Sequence, residues 1–342
     1  DKLSYCLSLP KTPLANEFVA RDEPQDVFPL DLLICGACNH VQTSIIVKPE
    51  RLFYDYVYAS SPSPITIAHL RNQARTIDAR LGLRRREQAC VLEIGSNDGA
   101  LLKEFQSIGI SNVMGVEPST AMANASLKNG VPTQNVFFTK AFAKAAKKMM
   151  TTPDVIVANN VLAHVPDVKE MLDGIALLLG VEGVLVMEVA WAGDIFQQFA
   201  FDTIYHEHTS YHALHPLMMA LNEAGIPAFD AELIPGQVGR GSLRVWAASR
   251  DRWVSTSAMK SKILDIFDDE EHLGLEAGSR WSVLGAEIKN MGDATRELVA
   301  ACRSLPTKNT IVGYGAPAKL TTLMYGYDMR KEDVDFIVDD ST

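Results

Sequence analysis

Long apolar runs are missing from this 342-residue chain. The longest, such as Val184-Leu185-Val186-Met187, are strand-sized, far short of the roughly 20 residues that cross a bilayer. No membrane segment or membrane partner is expected, and no charged-then-apolar leader is visible. Positive charge is also in short supply. Lys and Arg number 32 against 42 Asp and Glu, a net charge of −10, so no nucleic acid partner is expected unless a local basic patch intervenes. The only short basic cluster, Arg84-Arg85-Arg86, reads as a solvated helix end ahead of a buried strand. Cysteine is too sparse for a disulfide frame: the count of five is odd, and Cys90 and Cys302 lie in apolar or helical settings that suit buried thiols. A reducing, cytoplasmic location is the expectation. Short-period repeats and low-complexity tracts are absent as well.

What is present is an ordinary globular composition. With 47% hydrophobic and 22% charged residues, neither disorder nor a fibre is expected, and the length suits two or three domains that each bury a core. Residues 1–50 are short apolar runs broken by Pro10, Pro13, Pro24 and Pro29, carrying one Cys-x-x-Cys, Cys35 to Cys38, and read as a small loop-rich module. Helical periodicity from Thr66 to Arg86 leads into a buried strand, Ala89–Ile94. Further strands are read at Val113–Val116, Asp154–Ala158 and Val184–Val189, with helical pattern over Ala141–Met150 and Val168–Leu179. Such alternation predicts an α/β fold with a parallel sheet covered on both faces. Apolar positions through 257–301 predict a long amphipathic helix or a helix pair. A second strand–turn–helix opening follows at Thr310–Lys319, so two nucleotide-sized sheets are expected. The chain starts at Asp1 and stops at Thr342 just past a strand-like run; both ends are expected to continue in the natural protein.

The first glycine turn, Glu93-Ile94-Gly95-Ser96-Asn97-Asp98-Gly99, lacks the dinucleotide spacing Gly-x-Gly-x-x-Gly because position 97 is Asn and position 100 is Ala. It makes less provision for a pyrophosphate and suits a ligand whose amino-acid end meets the backbone, as S-adenosylmethionine (SAM) does. Glu117 ends the next strand, where a carboxylate can accept both ribose hydroxyl protons. The fourth strand ends in Asn159-Asn160-Val161-Leu162-Ala163-His164, which resembles the post-strand motif of class I SAM-dependent methyltransferases. His164 could instead cap the following helix. Glu93, Gly95, Asn97, Gly99, Glu117, Asn159 and Asn160 are the candidate cofactor contacts.

Tyr205-His206-Glu207-His208 belongs to a twelve-residue stretch with three histidines, two tyrosines and further polar groups. Zinc is one reading, but consecutive residues do not converge easily and His-Glu-x-x-His is missing. Acid/base chemistry is the better use, with a structural polar cluster as the alternative. On an extended segment His206 and His208 would face one side and Tyr205 and Glu207 the other.

Taken together, Thr12-Pro13-Leu14-Ala15-Asn16, Phe28-Pro29-Leu30 running to Cys35-x-x-Cys38, Asp55–Ser61, Glu93–Gly99, Asn159–Asp167, Tyr205–His208, Gly236–Ser242 and Gly313–Lys319 resemble the SAM-dependent C-methyltransferases of nucleotide-linked deoxysugars. The resemblance implies a small zinc-type N-terminal module over 1–65, a Rossmann-like SAM-binding sheet over 66–190, and a second Rossmann-like, nucleotide-sugar-binding domain over 191–342. It implies His208, Glu207, Tyr205, His164 and Tyr58 or Tyr56 in the reaction cleft, although both last tyrosines could be core aromatics. His208 is the expected general base, Glu207 orients it or holds the sugar, and Tyr205, Tyr58 and His164 donate to the enolate or anchor hydroxyls. Gly313, Tyr314, Gly315, Lys319 and Arg240 are the expected contacts to the sugar-nucleotide; a glycine hairpin with solvated arginines is the alternative for Arg240 and Arg244. SAM is the expected cofactor. Zinc is expected in the natural protein, but Cys35 and Cys38 have at most Cys6 or His40 as companions here, and two thiolates do not close a tetrahedral site. The expected partner is a nucleotide-linked ketosugar, the expected assembly a monomer or weak dimer.

One rival survives this reading. Gly313-Tyr314-Gly315-Ala316-Pro317-Ala318 fits Gly-x-Gly-x-x-Ala, with Asp339 and Asp340 where a ribose acid would lie, so an NAD-dependent oxidoreductase is the competitor. Lys319, Thr321 and Thr322 instead suit phosphate groups at a helix start. A SAM-sensing or carrier module is the non-enzymatic alternative.

Overall fold

A computed structural model of the chain describes residues 2–17, 19, 23–54, 59–85, 88–236, 241–249, 255–307 and 309–339. The N-terminal module is a sheet where loops were expected. β1 (Leu3–Thr12) and β2 (Phe28–Cys35) pair antiparallel, and β3 (Val41–Thr43) follows β2. Alternate residues Leu30, Leu32 and Ile34 turn inward, the period-two pattern of a half-buried strand. Pro10 is tolerated because β1 is an edge strand whose register slips between Leu9 and Thr12. After the short helix α1 (Pro49–Phe53), Ser63 caps α2 (Pro64–Leu81) by accepting the Thr66 N–H at 3.2 Å. Gly82, at φ +66°, ends that helix before the expected Arg86.

The central sheet starts with β4 (Cys90–Ile94), buried at every residue, as a strand between two parallel neighbours must be. It continues with α3 (Ala100–Ser107), β5 (Asn112–Val116), α4 (Thr120–Lys128), β6 (Thr133–Gln134), α5 (Lys140–Met149), β7 (Val155–Asn159), α6 (Val168–Leu178) and β8 (Val184–Ala190). These five strands are parallel, with β4 between β5 and β7. After α7 (Gly193–Gln197) comes β9 (Ser210–Tyr211), which leaves this sheet and pairs with β3, Val41 opposite Tyr211. The chain then passes through α8 (Leu214–Glu223) into β10 (Ala228–Ile234) and β11 (Ser242–Ala248), an antiparallel pair laid against β8. The seven strands run β10-β11-β8-β7-β4-β5-β6. The sheet runs past the boundary expected after residue 190: the edge of β8 is completed by β11, and the sheet extends to Ala248.

The amphipathic stretch is a helix pair, α9 (Ser257–Leu273) and α10 (Gly278–Arg303), broken at Gly274 with φ +70°. Trp281, Leu284 and Ile288 of α10 share a core with Cys6, Leu7, Leu30 and Leu32, so this helix roofs the N-terminal sheet. Beyond it, β12 (Val312–Tyr314), α11 (Leu320–Gly326) and β13 (Phe336–Val338) form a parallel β–α–β unit. No helix among the described residues is long and apolar enough to cross a membrane, and all five cysteines are free thiols.

Candidate active site

At the end of β4 the chain reverses through Gly95, Asn97 and Gly99, with φ of +67°, +50° and +81°. A Cβ on Gly95 would overlap Val161, and one on Gly99 would come 2.5 Å from Ser126 Oγ, so both positions need glycine for space as well as for conformation. The turn is tied down from two sides. Glu117 accepts the Asn97 N–H and the Ser119 N–H, each at 2.8 Å, while the Ser60 and Ser61 N–H groups donate to Asn97 Oδ1 and Asp98 Oδ2, each at 3.0 Å. Beneath this roof lies a cavity of about 280 Å³, with Glu93, Asn97, Glu117, Asn160 and His164 among its walls and Phe138 on its apolar side.

The cavity's electrostatics select its ligand. Burial, then the charges of Glu117 and Asp98, push the Glu93 carboxyl well above the ordinary range, and its Oε2 has no partner among the described residues. Burial also raises Glu117. A cation brought against these carboxyls relieves the crowding of negative charge that raises them, whereas a pyrophosphate would add to it. SAM, with an ammonium, a sulfonium and a ribose diol, matches this donor-poor, acceptor-rich set. Glu93 and the Gly95–Gly99 backbone would hold its amino-acid end and Glu117 its ribose. Asn159 also lines the cavity, and its amide exchanges hydrogen bonds with Gln73 at 2.7 and 3.0 Å, so it fixes α2 over the cavity.

Sequence reading missed the group behind that contact. Glu188 on β8, 2% exposed, accepts from Gln73 at 2.8 Å and Arg244 at 2.6 Å and pairs with His69 Nε2 at 2.8 Å. Burial, the largest single influence, pushes the Glu188 pKa up, but the hydrogen bonds from His69 and Arg244 and the charges of both hold it below the ordinary value. His69 and Glu188 both border the cavity. Arg244 is not an anion ligand: its guanidinium is buried between Glu188 and Glu232. The signal for this network is a Glu inside an apolar strand, Val184–Ala190, facing an Arg inside another, Ser242–Ala248.

The Tyr205–His208 segment is a turn rather than a strand, closed by the His208 N–H donating to the Tyr205 carbonyl at 2.9 Å. The first and fourth residues therefore share a side. Tyr205 and His208 rings lie 4.4 Å apart, with Tyr205 Oη 3.3 Å from His208 Nε2. His206 leaves the cleft to meet the Pro29 carbonyl at 3.0 Å. The His208 imidazole is oriented by the Thr203 carbonyl, 2.8 Å from Nδ1, and not by Glu207. Burial, then His164, push the His208 pKa down to about 3. His164 joins this cluster to the SAM cavity: it borders the cavity, its ring is 4.9 Å from that of His208, and its Nδ1 is 2.8 Å from the Glu207 carbonyl. Its capping role is excluded, because Asp167 caps α6 by accepting the Glu170 N–H. Glu207 accepts from Asn16 Nδ2 at 2.5 Å, and burial raises its pKa to about 7. Tyr56, Tyr58 and Arg240 lie outside the described residues.

The C-terminal turn borders the same cleft. Lys319 is near enough to His208 for its charge to disfavour the imidazolium, and Thr322, 1% exposed, donates to the Ile204 carbonyl at 2.7 Å, which removes it from the expected phosphate contacts. A Cβ on Gly313 would come 2.9 Å from Ile337 Cγ1, whereas Tyr314 is largely exposed; Gly315 takes φ +87°. The Ala316 N–H donates to Asp339, so the acid that an NAD site would present to ribose instead closes the turn. At the far end of the N-terminal sheet, the Asn39 N–H donates to the Cys35 carbonyl at 2.9 Å, making a knuckle that carries Cys35 and Cys38. Backbone amides of Ala37 and Cys38 lower the Cys35 pKa. These thiols fit half of a zinc site. Cys6 Sγ donates to the Leu32 carbonyl at 3.4 Å and His40 Nε2 is 3.3 Å from Ser210 Oγ, and no group of three or more metal-ligating side chains occurs among the described residues.

Three family models match in order along the chain: "Putative zinc binding domain" over residues 1–53, "Methyltransferase domain" over 67–226 and "C-methyltransferase C-terminal domain" over 237–342. The C-methyltransferase NovU of Streptomyces niveus is 27% identical over 336 residues, 97% of this chain and 78% of that protein. Among solved structures, the SAM-bound magnesium protoporphyrin IX methyltransferase of Synechocystis PCC 6803 aligns at 14% identity over 58% of this chain and 89% of its own, with a TM-score of 0.40. The CurJ carbon methyltransferase aligns at 14% identity over 59% of this chain and 61% of its own, with a TM-score of 0.41.

Proposed function

We propose that this SAM-dependent C-methyltransferase methylates a ring carbon beside the ketone of a nucleotide-linked deoxysugar, through an enolate. The observation that carries this reading is the meeting of two turns. The Tyr205–His208 acid/base cluster, joined to the SAM cavity by His164, is bordered by Lys319 of the C-terminal turn, a cation that suits an anionic group. A substrate with an acidic C–H at one end and an anion at the other suits that pairing.

When bound, SAM supplies an electrophilic methyl group on a sulfonium. Making a carbon–carbon bond to it requires a carbanion, so a proton must first leave the carbon next to the carbonyl. With Nδ1–H given to the Thr203 carbonyl, the His208 Nε2 lone pair takes that proton. Burial keeps the imidazole neutral; the enolate's negative charge then stabilises the imidazolium beside it. Tyr205 Oη, next to Nε2, donates to the enolate oxygen. His164 spends Nδ1–H on the Glu207 carbonyl, which leaves Nε2 as an acceptor that anchors a sugar hydroxyl.

A second reading makes Glu207 the base, favoured by its pKa of about 7 and an Oε2 without a partner among the described residues. Proton exchange separates the two. Incubation with a nucleotide-linked ketosugar in deuterated water, followed by NMR, should show exchange at the carbon beside the ketone that His208→Asn abolishes while SAM affinity stays within twofold. Loss of exchange only in Glu207→Gln would hand the role to the carboxylate, and no exchange by the unaltered protein on any ketosugar of a panel would reject the enolate reading. Calorimetric titration with SAM and NADH tests the oxidoreductase rival, which gains if NADH alone binds.

A further inference from the structure

We propose that Asn16, in the N-terminal module, is a positioning residue for the reaction cleft: its amide holds the Glu207 carboxylate in place for the substrate. The proposal rests on the reading of Glu207 as a cleft residue. It adds a residue from the first seventeen of the chain to the Tyr205–His208 acid/base cluster.

The contact joins positions 191 residues apart, Asn16 Nδ2 to Glu207 Oε1 at 2.5 Å, and both ends are held. On one side, Leu14 is buried, Glu17 N–H donates to the Leu14 carbonyl at 3.3 Å, and the Glu17 carboxylate takes two 2.8 Å hydrogen bonds from Arg51, which also reaches Asp26 at 3.0 Å. Arg51 lies over the Phe28 ring, and Phe28 packs edge-on against His206. On the other side, His206 is fixed to the Pro29 carbonyl and His164 to the carbonyl of Glu207 itself. Two strapped turns thus present one amide N–H to one buried oxygen. The second oxygen, Oε2, is buried without a partner among the described residues and is the one left for a substrate hydroxyl.

An N–H on Oε1 does more than dock a loop. Glu207 is 2% exposed, and burial drives its carboxyl towards the neutral form, while the hydrogen bond from Asn16 is what opposes it. The titratable neighbours are Tyr205, His206 and His208 on the same turn, His164 beneath it, Glu17 beside Asn16, and Lys319 across the cleft next to His208. Burial lowers the pKa of His164, His206 and His208, so these imidazoles are neutral where Glu207 titrates. Asn16 therefore fixes both the rotamer and the charge of the carboxylate.

The test reads the carboxyl directly, in the full chain and without substrate. Carbon-13 NMR of labelled glutamate, assigned by Glu207→Gln, follows its titration in the unaltered protein, in Asn16→Ala and in Asn16→Asp. Removing the donor should raise the midpoint by about one pH unit or more, and a second carboxyl should raise it further; Asn16→Ser, which keeps a donor, should fall between and serves if Asn16→Ala does not fold. Unchanged midpoints overturn the proposal. With turnover in hand, Asn16→Ala should lower kcat and shift the pH–rate profile in the Glu207 protein yet cost nothing further in Glu207→Gln; equal losses in both backgrounds mean that Asn16 only docks the module. If no ketosugar is turned over, the substrate reading fails while the titration still decides the role of Asn16.

Discussion

Gly95→Ala should be destabilising for two separable reasons, and Val161 provides the means to separate them. An alanine at φ +67° carries about 1–2 kcal/mol of left-handed strain, and its methyl overlaps the Val161 side chain, an overpacking worth about 1–3 kcal/mol. The single variant should therefore lose about 2–5 kcal/mol by urea unfolding. Val161→Ala alone removes methyl groups from a half-buried side chain and should cost about 1 kcal/mol. In the double variant the overlap is gone and only the backbone strain remains. The cycle should show about 1–3 kcal/mol of favourable coupling. Calorimetric titration with SAM should follow the same order, because both residues line the cavity: weakest in Gly95→Ala, partly restored in the double variant. Additive losses would refute the argument that this turn is shaped by its approach to Val161.

Other expectations follow from buried charge. Arg244→Met leaves Glu188 without its guanidinium partner and should cost about 3–5 kcal/mol, whereas Arg244→Met with Glu188→Leu should recover part of it; a double variant no better than the single one would contradict this in the same unfolding assay. The folded Glu93 pKa lies above its unfolded value, so this carboxyl lowers stability as pH rises between the two. Glu93→Gln should then make the ligand-free protein at least as stable at pH 8 by thermal unfolding, while shrinking the stabilisation by SAM; a less stable variant with an intact SAM response would refute that. His212 is buried and pushed down to about 3, below its unfolded value, so its contribution is full above the unfolded pKa of roughly 6.5 and is lost as pH falls towards 3, by about 1.4 kcal/mol per pH unit. His212→Gln should flatten the acid limb of stability against pH by about one proton, and an unchanged slope would exclude the histidine as its source.

Four of the parallel strands, β4, β5, β7 and β8, were legible because each is a mainly apolar segment between helical ones, whereas the two polar residues of β6 carry no such pattern; Gly95 and Gly99 announced the turn by chemistry no other residue supplies. That the β10–β11 hairpin joins the central sheet is not legible in the sequence, for a physical reason. The hairpin starts 38 residues past the end of β8, after β9 has gone to another sheet, and lays β11 on the β8 edge; no local pattern records which edge a strand will choose. The Tyr205–His208 stretch was recognisable as reactive by composition, but strand alternation grouped His206 with His208, whereas the turn groups Tyr205 with His208. Contacts such as Glu188 with Gln73 and Arg244, or Asn16 with Glu207, join residues 56–191 positions apart. They are set by tertiary packing, which single residues in a sequence do not disclose.

The two-residue strand β9 has a practical consequence for building hybrids of such proteins. It follows the reactive turn at once, pairs with β3, and is reinforced by the Thr43 N–H donating to the Thr209 carbonyl at 3.0 Å. A chimera that exchanges only the amino-terminal portion would join a foreign β3 to a resident β9 and shift the neighbouring acid/base side chains with it. The transplantable unit is therefore discontinuous, and a graft that retains catalysis must carry residues 205–212 along with the first fifty.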